Sequence, residues 1–154
     1  MPGRFITYKG GYKYQLEDSY RVTVAVRPPE DIRTEYISLD RNGLLALKKG
    51  YAWDGPSGPT IDTPNFMRGS LVHDALYQLM RMNQLSTAHY RETADKELRR
   101  ICLEDGMSTV RAWWVYEGVR QFGKSAASSN NAKPVLRAPD KLSDQQAAFA
   151  DGAG

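Results

Sequence analysis

The chain has 154 residues, 41% hydrophobic and 25% charged, enough for one domain with a single core. Its 21 basic and 18 acidic residues leave a net charge of +3 and are dispersed with no run of five like charges, so nucleic acid is not indicated. One cysteine, Cys102, excludes an intrachain disulfide. The N-terminus lacks an apolar h-region and no stretch approaches the roughly 18 apolar residues of a membrane span, so signal-peptide secretion and spanning are unsupported and the cytoplasm where the chain is made is the expected setting.

Residues 12–49 alternate as strands do. Tyr12, Tyr14 and Leu16 alternate with polar partners, and Tyr20 to Val26 carries β-branched residues at every second position. Pro28-Pro29 closes that strand, Glu35 to Leu39 makes another, and Asp40-Arg41-Asn42-Gly43 is a turn before Leu44 to Leu47. The pattern predicts a small antiparallel meander. Tyr51 to Asp62 is rich in glycine and proline and predicts an ordered loop without regular structure.

Thr63-Pro64 supplies an N-cap and an N1 proline for a first helix to about Met82, with Phe66, Ser70, His73, Tyr77 and Met80 on one face. The chain turns at Asn83 to Ser86, and a second helix runs from about Thr87 to Glu104, ended by Asp105-Gly106. Its apolar line is Ala94, Leu98, Ile101 and Cys102. Ser108 caps a third helix in which Val110, Trp113, Trp114, Val115 and Val119 supply the bulk, and Phe122-Gly123 ends it. Beyond Lys124 few large apolar residues remain. The fold class is therefore α+β: an N-terminal antiparallel meander, a Gly/Pro-rich loop, a helical hairpin and a third helix in a single domain over 1–123, with a flexible tail over 124–154.

The chemistry concentrates in Val72-His73-Asp74-Ala75-Leu76-Tyr77. His73 and Tyr77 share a helix face, Asp74 is rotated by about 100° from it, and Asp95 follows His73 by 22 residues on the next helix. An antiparallel hairpin brings Asp95 to the His73 face. A histidine fixed by a carboxylate can take a proton from water, and a second carboxylate can hold a cation. The structural counterpart is a buried polar network that fixes helix packing. Trp53 reads as a pocket wall or, more simply, as a plug of the loop against the sheet. Ser57 reads as a turn serine, His89 as a solvated helix-start residue, and Arg81, Arg91, Arg99, Arg100 and Arg111 as exposed helix charges that could also face phosphate.

Residues from about 50 to 122 resemble the phage-associated domain of unknown function numbered 1353, through Trp53-Asp54-Gly55-Pro56-Ser57, His73-Asp74 with Tyr77, and Arg91 with Ala94-Asp95. That resemblance implies a phage or prophage setting without an activity. More distantly, His73-Asp74-Ala75-Leu76-Tyr77, Asp95 on the following helix and the preceding Gly-rich loop are similar to the phospholipase A₂ group. This second resemblance implies that His73 activates water, Asp95 orients His73, Tyr77 bonds Asp95 and Asp74 binds calcium. Carbonyls of the 53–58 loop, including those of Trp53, Gly55 and Ser57, would complete the calcium shell, with phospholipid as substrate. The competing expectation is a non-catalytic virion component, at a tail, baseplate or portal junction, whose partners are other phage virion proteins.

Overall fold

The computed structural model describes residues 6, 8–9, 14–53 and 63–128. Among the described residues seven strands precede three helices, an α+β architecture. The strands are β1 (Tyr8–Lys9), β2 (Tyr14–Leu16), β3 (Tyr20–Thr23), β4 (Ile32–Arg33), β5 (Ile37–Leu39), β6 (Leu44–Leu47) and β7 (Ala52–Trp53). The helices are α1 (Pro64–Arg81), α2 (Thr87–Glu104) and α3 (Thr109–Ala126).

The strands form two antiparallel sheets, ordered β1-β2-β7 and β3-β6-β5-β4, where the sequence predicts one meander. Only β4, β5 and β6 follow meander order. The two sheets are halves of one bent ribbon: Tyr14 pairs with Trp53 and Tyr20 with Leu47, so the pairing advances equally along both strands across the break. The bend is bridged by Leu16 N–H donating to Tyr51 O at 2.9 Å and Gly50 N–H donating to Leu16 O at 2.8 Å. Tyr51 to Trp53 is thus strand-like, because its backbone is claimed by β2 despite the Gly/Pro-rich residues that follow. Residues 54–62, with Gly55 and Ser57, lie outside the described residues, as does the predicted tail beyond 128.

The β5–β6 turn shows why its residues were legible. The Asp40 carboxylate accepts from the backbone N–H groups of Asn42 and Leu44, both at 2.9 Å. Gly43 has φ +86°, and a Cβ there would sit 2.3 Å from Val24 O, so this turn also needs glycine to let β3's extension approach.

Strand alternation puts Tyr20, Val22, Ile37, Leu39, Leu45 and Leu47 on one face, where they join Leu71, Ala75, Leu76 and Leu79 of α1 in the main core. Burying each such side chain contributes roughly 1.5–3 kcal/mol before chain entropy is set against it. A smaller cluster, Phe66, Leu98, Cys102, Met107, Ala112 and Val115, ties the three helices together. Arg68 pins sheet to helices: Nη1 donates to Tyr20 Oη at 3.0 Å, while Nε and Nη2 hold Asp105.

The third helix departs from the prediction in two ways. Val110, Trp113 and Trp114 are exposed, and the inward line is Ala112 and Val115, with Val119 packed beside them. Small residues let the helix approach closely, so the large ones are turned out. The helix also continues past Gly123 to Ala126 because its last turn is held: Arg81 Nη1 donates to Ala126 O at 2.9 Å, and Ala127 is buried.

Candidate functional site

Helix α1 is buried on nearly every side, and from Phe66 to Arg81 the run is broken only at His73 and Asp74. The two residues singled out for chemistry are therefore where α1, past its first two residues, meets solvent. α1 and α2 pack as the antiparallel hairpin expected, with Ser86 capping α2 by accepting from His89 N–H. This brings Asp95, fully buried, beneath the His73 ring.

Asp95 collects three donors. His73 Nε2 lies 2.7 Å from Oδ1, Tyr77 Oη donates to Oδ1 at 2.6 Å, and Arg120 Nη1 donates to Oδ2 at 2.9 Å. Burial pushes the Asp95 carboxyl up, but the hydrogen bonds from His73, Tyr77 and Arg120 outweigh it and hold the group below the usual carboxylate range. An ionised carboxylate only accepts, so the proton in the His73–Asp95 bond belongs to Nε2. Nδ1 then carries the lone pair, and among the described residues nothing is hydrogen-bonded to it. The His73 side chain is 13% exposed, so the ring is tethered from below and open at one edge.

Tyr77 is held from several directions. Its ring centroid is 4.1 Å from that of His73, and its hydroxyl accepts from Arg91 Nε at 3.2 Å. Burial and then the neighbouring Asp95 push the phenol pKa up, which keeps it a donor. Arg91 is anchored by Nη2 to the backbone carbonyls of Val119 and Arg120, at 2.9 and 2.8 Å. Behind Tyr77 stands Gly123: a Cβ at that position would be 2.6 Å from the hydroxyl. Arg120 and Gly123 on α3 thus complete the site. Sequence reading missed both, and took Gly123 as a helix stop. A glycine inside an otherwise helical pattern was the available signal, since it marks close approach as readily as termination.

Asp74 stands apart from this group. It accepts from Tyr51 Oη at 3.3 Å and lies 3.7 Å from Arg81 Nη2. Calcium takes roughly six to eight oxygen ligands. Asp74 offers one carboxylate with a guanidinium beside it, and among the described residues no group of three or more His, Cys, Asp or Glu side chains converges. The rest of the expected shell, the carbonyls of Gly55 and Ser57, lies outside the described residues. Trp53 is 2% exposed, its Nε1 donates to Ser70 Oγ at 3.2 Å, and its ring lies tilted against Tyr14. It sits between sheet and helix, away from the His73–Asp95 pair in the hydrogen-bond network. His89 is exposed at the start of α2.

A family model described as a protein of unknown function (DUF1353) matches residues 32–119, more than half of the chain. The chain belongs to this family. The match begins at β4 and ends one residue before Arg120, so the DUF1353 segment contains His73, Asp74, Tyr77, Arg91 and Asp95. Neither a curated protein nor a solved structure gives a significant match. Among the described residues of this DUF1353 member, no helix is long and apolar enough to cross a membrane.

Proposed function

We propose that this chain is a hydrolase in which His73, oriented by Asp95, takes the proton from a water molecule that attacks an acyl ester and returns it to the departing alcohol oxygen as the acyl C–O bond breaks. The observation that carries this reading is the tethered ring: Nε2 is bound to a fully buried carboxylate at 2.7 Å while Nδ1 is unbonded at the one break in the buried face of α1. A positioned base of this kind contributes about 10²–10⁴ in rate. As Nδ1 gains a proton, the positive charge on the imidazolium is balanced through Nε2–H by Asp95, which Arg120 and Tyr77 keep ionised and immobile. The His-Asp-x-x-Tyr pattern on α1, with an Asp on the antiparallel partner, favours a phospholipid ester as the substrate class.

One observation favours a second reading. Asp95 on α2 binds α1 and α3 at once, and among the described residues no buried polar side-chain atom lacks a partner. A satisfied network of this kind suits a non-catalytic phage virion component in which the cluster fixes helix packing. Acid release from phosphatidylcholine and phosphatidylglycerol vesicles and from short-chain esters, followed by pH-stat with calcium and with a chelator, separates the two. The hydrolase reading expects release by the wild type and a loss of about a hundredfold or more in His73→Asn, assayed at a temperature where circular dichroism shows the variant folded. Absence of release under every condition leaves the packing reading.

A further inference from the structure

The charges around Asp95 do not cancel. Arg91 and Arg120 both bear on the site, Asp95 is its only buried carboxylate among the described residues, and Glu92, one turn earlier on α2, is exposed and paired with Lys96 at 3.2 Å. The cluster is left with one positive charge in excess. That excess lies toward solvent, because the Arg120 side chain is 30% exposed while Asp95 beneath it is closed off.

The donors are distributed in the same sense. A guanidinium has five N–H groups in a fixed fork, suited to paired oxygens of a carboxylate or phosphate. Arg120 commits Nη1 to Asp95, and among the described residues no acceptor is bonded to its Nε or Nη2. Arg91 commits Nε and Nη2 and leaves Nη1 likewise. His73 and Arg120 take the two oxygens of one carboxylate, at 2.7 and 2.9 Å, so the imidazole and the guanidinium are neighbours across Asp95. Apart from Asp95, the neighbours bearing on Arg120 are Tyr116 and Glu92.

We infer that Arg120, flanked by Arg91, forms an anion subsite beside His73, and that the molecule bound there carries a phosphate group next to the bond presented to His73. This rests on the hydrolase reading for its placement but not for its test. Phosphate is favoured over a lone carboxylate because three free nitrogens on two arginines exceed what one carboxylate edge can satisfy.

The chain has two histidines, His73 at the site and His89 exposed at the start of α2, which gives an internal control. The test is an NMR titration of their ring resonances with inorganic phosphate and, separately, with glycerophosphocholine. The expected result is a saturable shift of His73 without a matching shift of His89, with affinity weakened roughly tenfold in Arg120→Gln and by less in Arg120→Lys, which keeps the charge without the fork. Tighter binding of the diester identifies a lipid headgroup as the source, and tighter binding of inorganic phosphate a free monoester. Because Arg120 also holds Asp95, the Lys variant and the wild-type titration stand even where the Gln variant is destabilised. No saturable shift with either anion, equal shifts at both histidines, or undiminished binding in a folded Arg120→Gln protein overturns the inference. Phosphate binding without ester cleavage would instead count against the hydrolase reading alone.

Discussion

Adding one methyl group at Gly123 should separate packing from helix propensity. The new Cβ would sit 2.6 Å from the Tyr77 hydroxyl oxygen, 3.2 Å from Cε2 and 3.3 Å from Cζ. Tyr77 has little room to yield, since its hydroxyl is bound to Asp95 and Arg91 and its ring rests on His73. Overpacking of this kind costs about 1–3 kcal/mol, against a helix-propensity gain for alanine over glycine of about 0.8–1 kcal/mol. Gly123→Ala is therefore expected to be destabilised by about 1 kcal/mol. Gly118, on the same helix, has nothing within 4 Å of its notional Cβ, so Gly118→Ala should instead gain about 0.5–1 kcal/mol. Urea denaturation followed by circular dichroism should separate the two variants by about 2 kcal/mol, or by about 4–8 °C in melting temperature. In a Tyr77→Phe background the Gly123→Ala penalty should shrink, because the closest contact is gone. Equal stabilisation by both alanines would refute the placement of α3 against Tyr77, and with it the role given to Arg120.

Other perturbations probe the same architecture. Asp95→Asn leaves Arg120 without its buried counter-charge and His73 without its carboxylate acceptor, and is expected to cost about 3–5 kcal/mol in chemical denaturation. The folded-state pKa of Asp95 lies below its unfolded value, so its stabilising contribution is present above the unfolded value of about 3.9 and is lost as pH falls through the folded one. The acid limb of the wild-type stability curve should thus lie below about pH 4, and Asp95→Asn should lack that part of it. Cys102 is fully buried, and burial followed by the nearby Asp105 pushes its thiol up to about 12, so at pH 8 a thiol reagent should modify it only as fast as the fold opens. Fast labelling in the native state would contradict the packing of α1 on α2. Arg68→Met breaks the tie between Tyr20 and Asp105 and should lower stability by about 3 kcal/mol, with the acidic end of α2 losing hydrogen-exchange protection first.

Local signals in the sequence were read well because local physics decides them. Ser86 and Ser108 mark helix starts by capping, and Pro64 marks the start of α1 by its fixed φ at N1, the Thr63 hydroxyl being turned to Asn65 and Arg111 instead of capping; all three helices begin where those residues place them. The spacing of His73 and Asp95 across a short turn was enough to bring them together, since an antiparallel hairpin leaves few registers. Sheet pairing was less legible. β3 pairs with β6 across the intervening β4 and β5, and β7 is defined by its partner β2 rather than by its own composition. The outward turn of Trp113 and Trp114 followed from the preference of α3 for its small residues at the contact, which a hydrophobic tally inverts. Arg120 was invisible for a related reason: an arginine on a helix reads as solvated until the buried carboxylate it meets is known.

The general-base account depends on which nitrogen of His73 is free. Nitrogen-15 shifts of the two histidine rings, measured where the rings are uncharged, give the tautomer of each directly. The account predicts that His73 carries its proton on Nε2, toward Asp95, with an unprotonated Nδ1, while exposed His89 reports a mixture of tautomers. A His73 proton on Nδ1 would leave no lone pair at the open edge of the ring and would contradict the account.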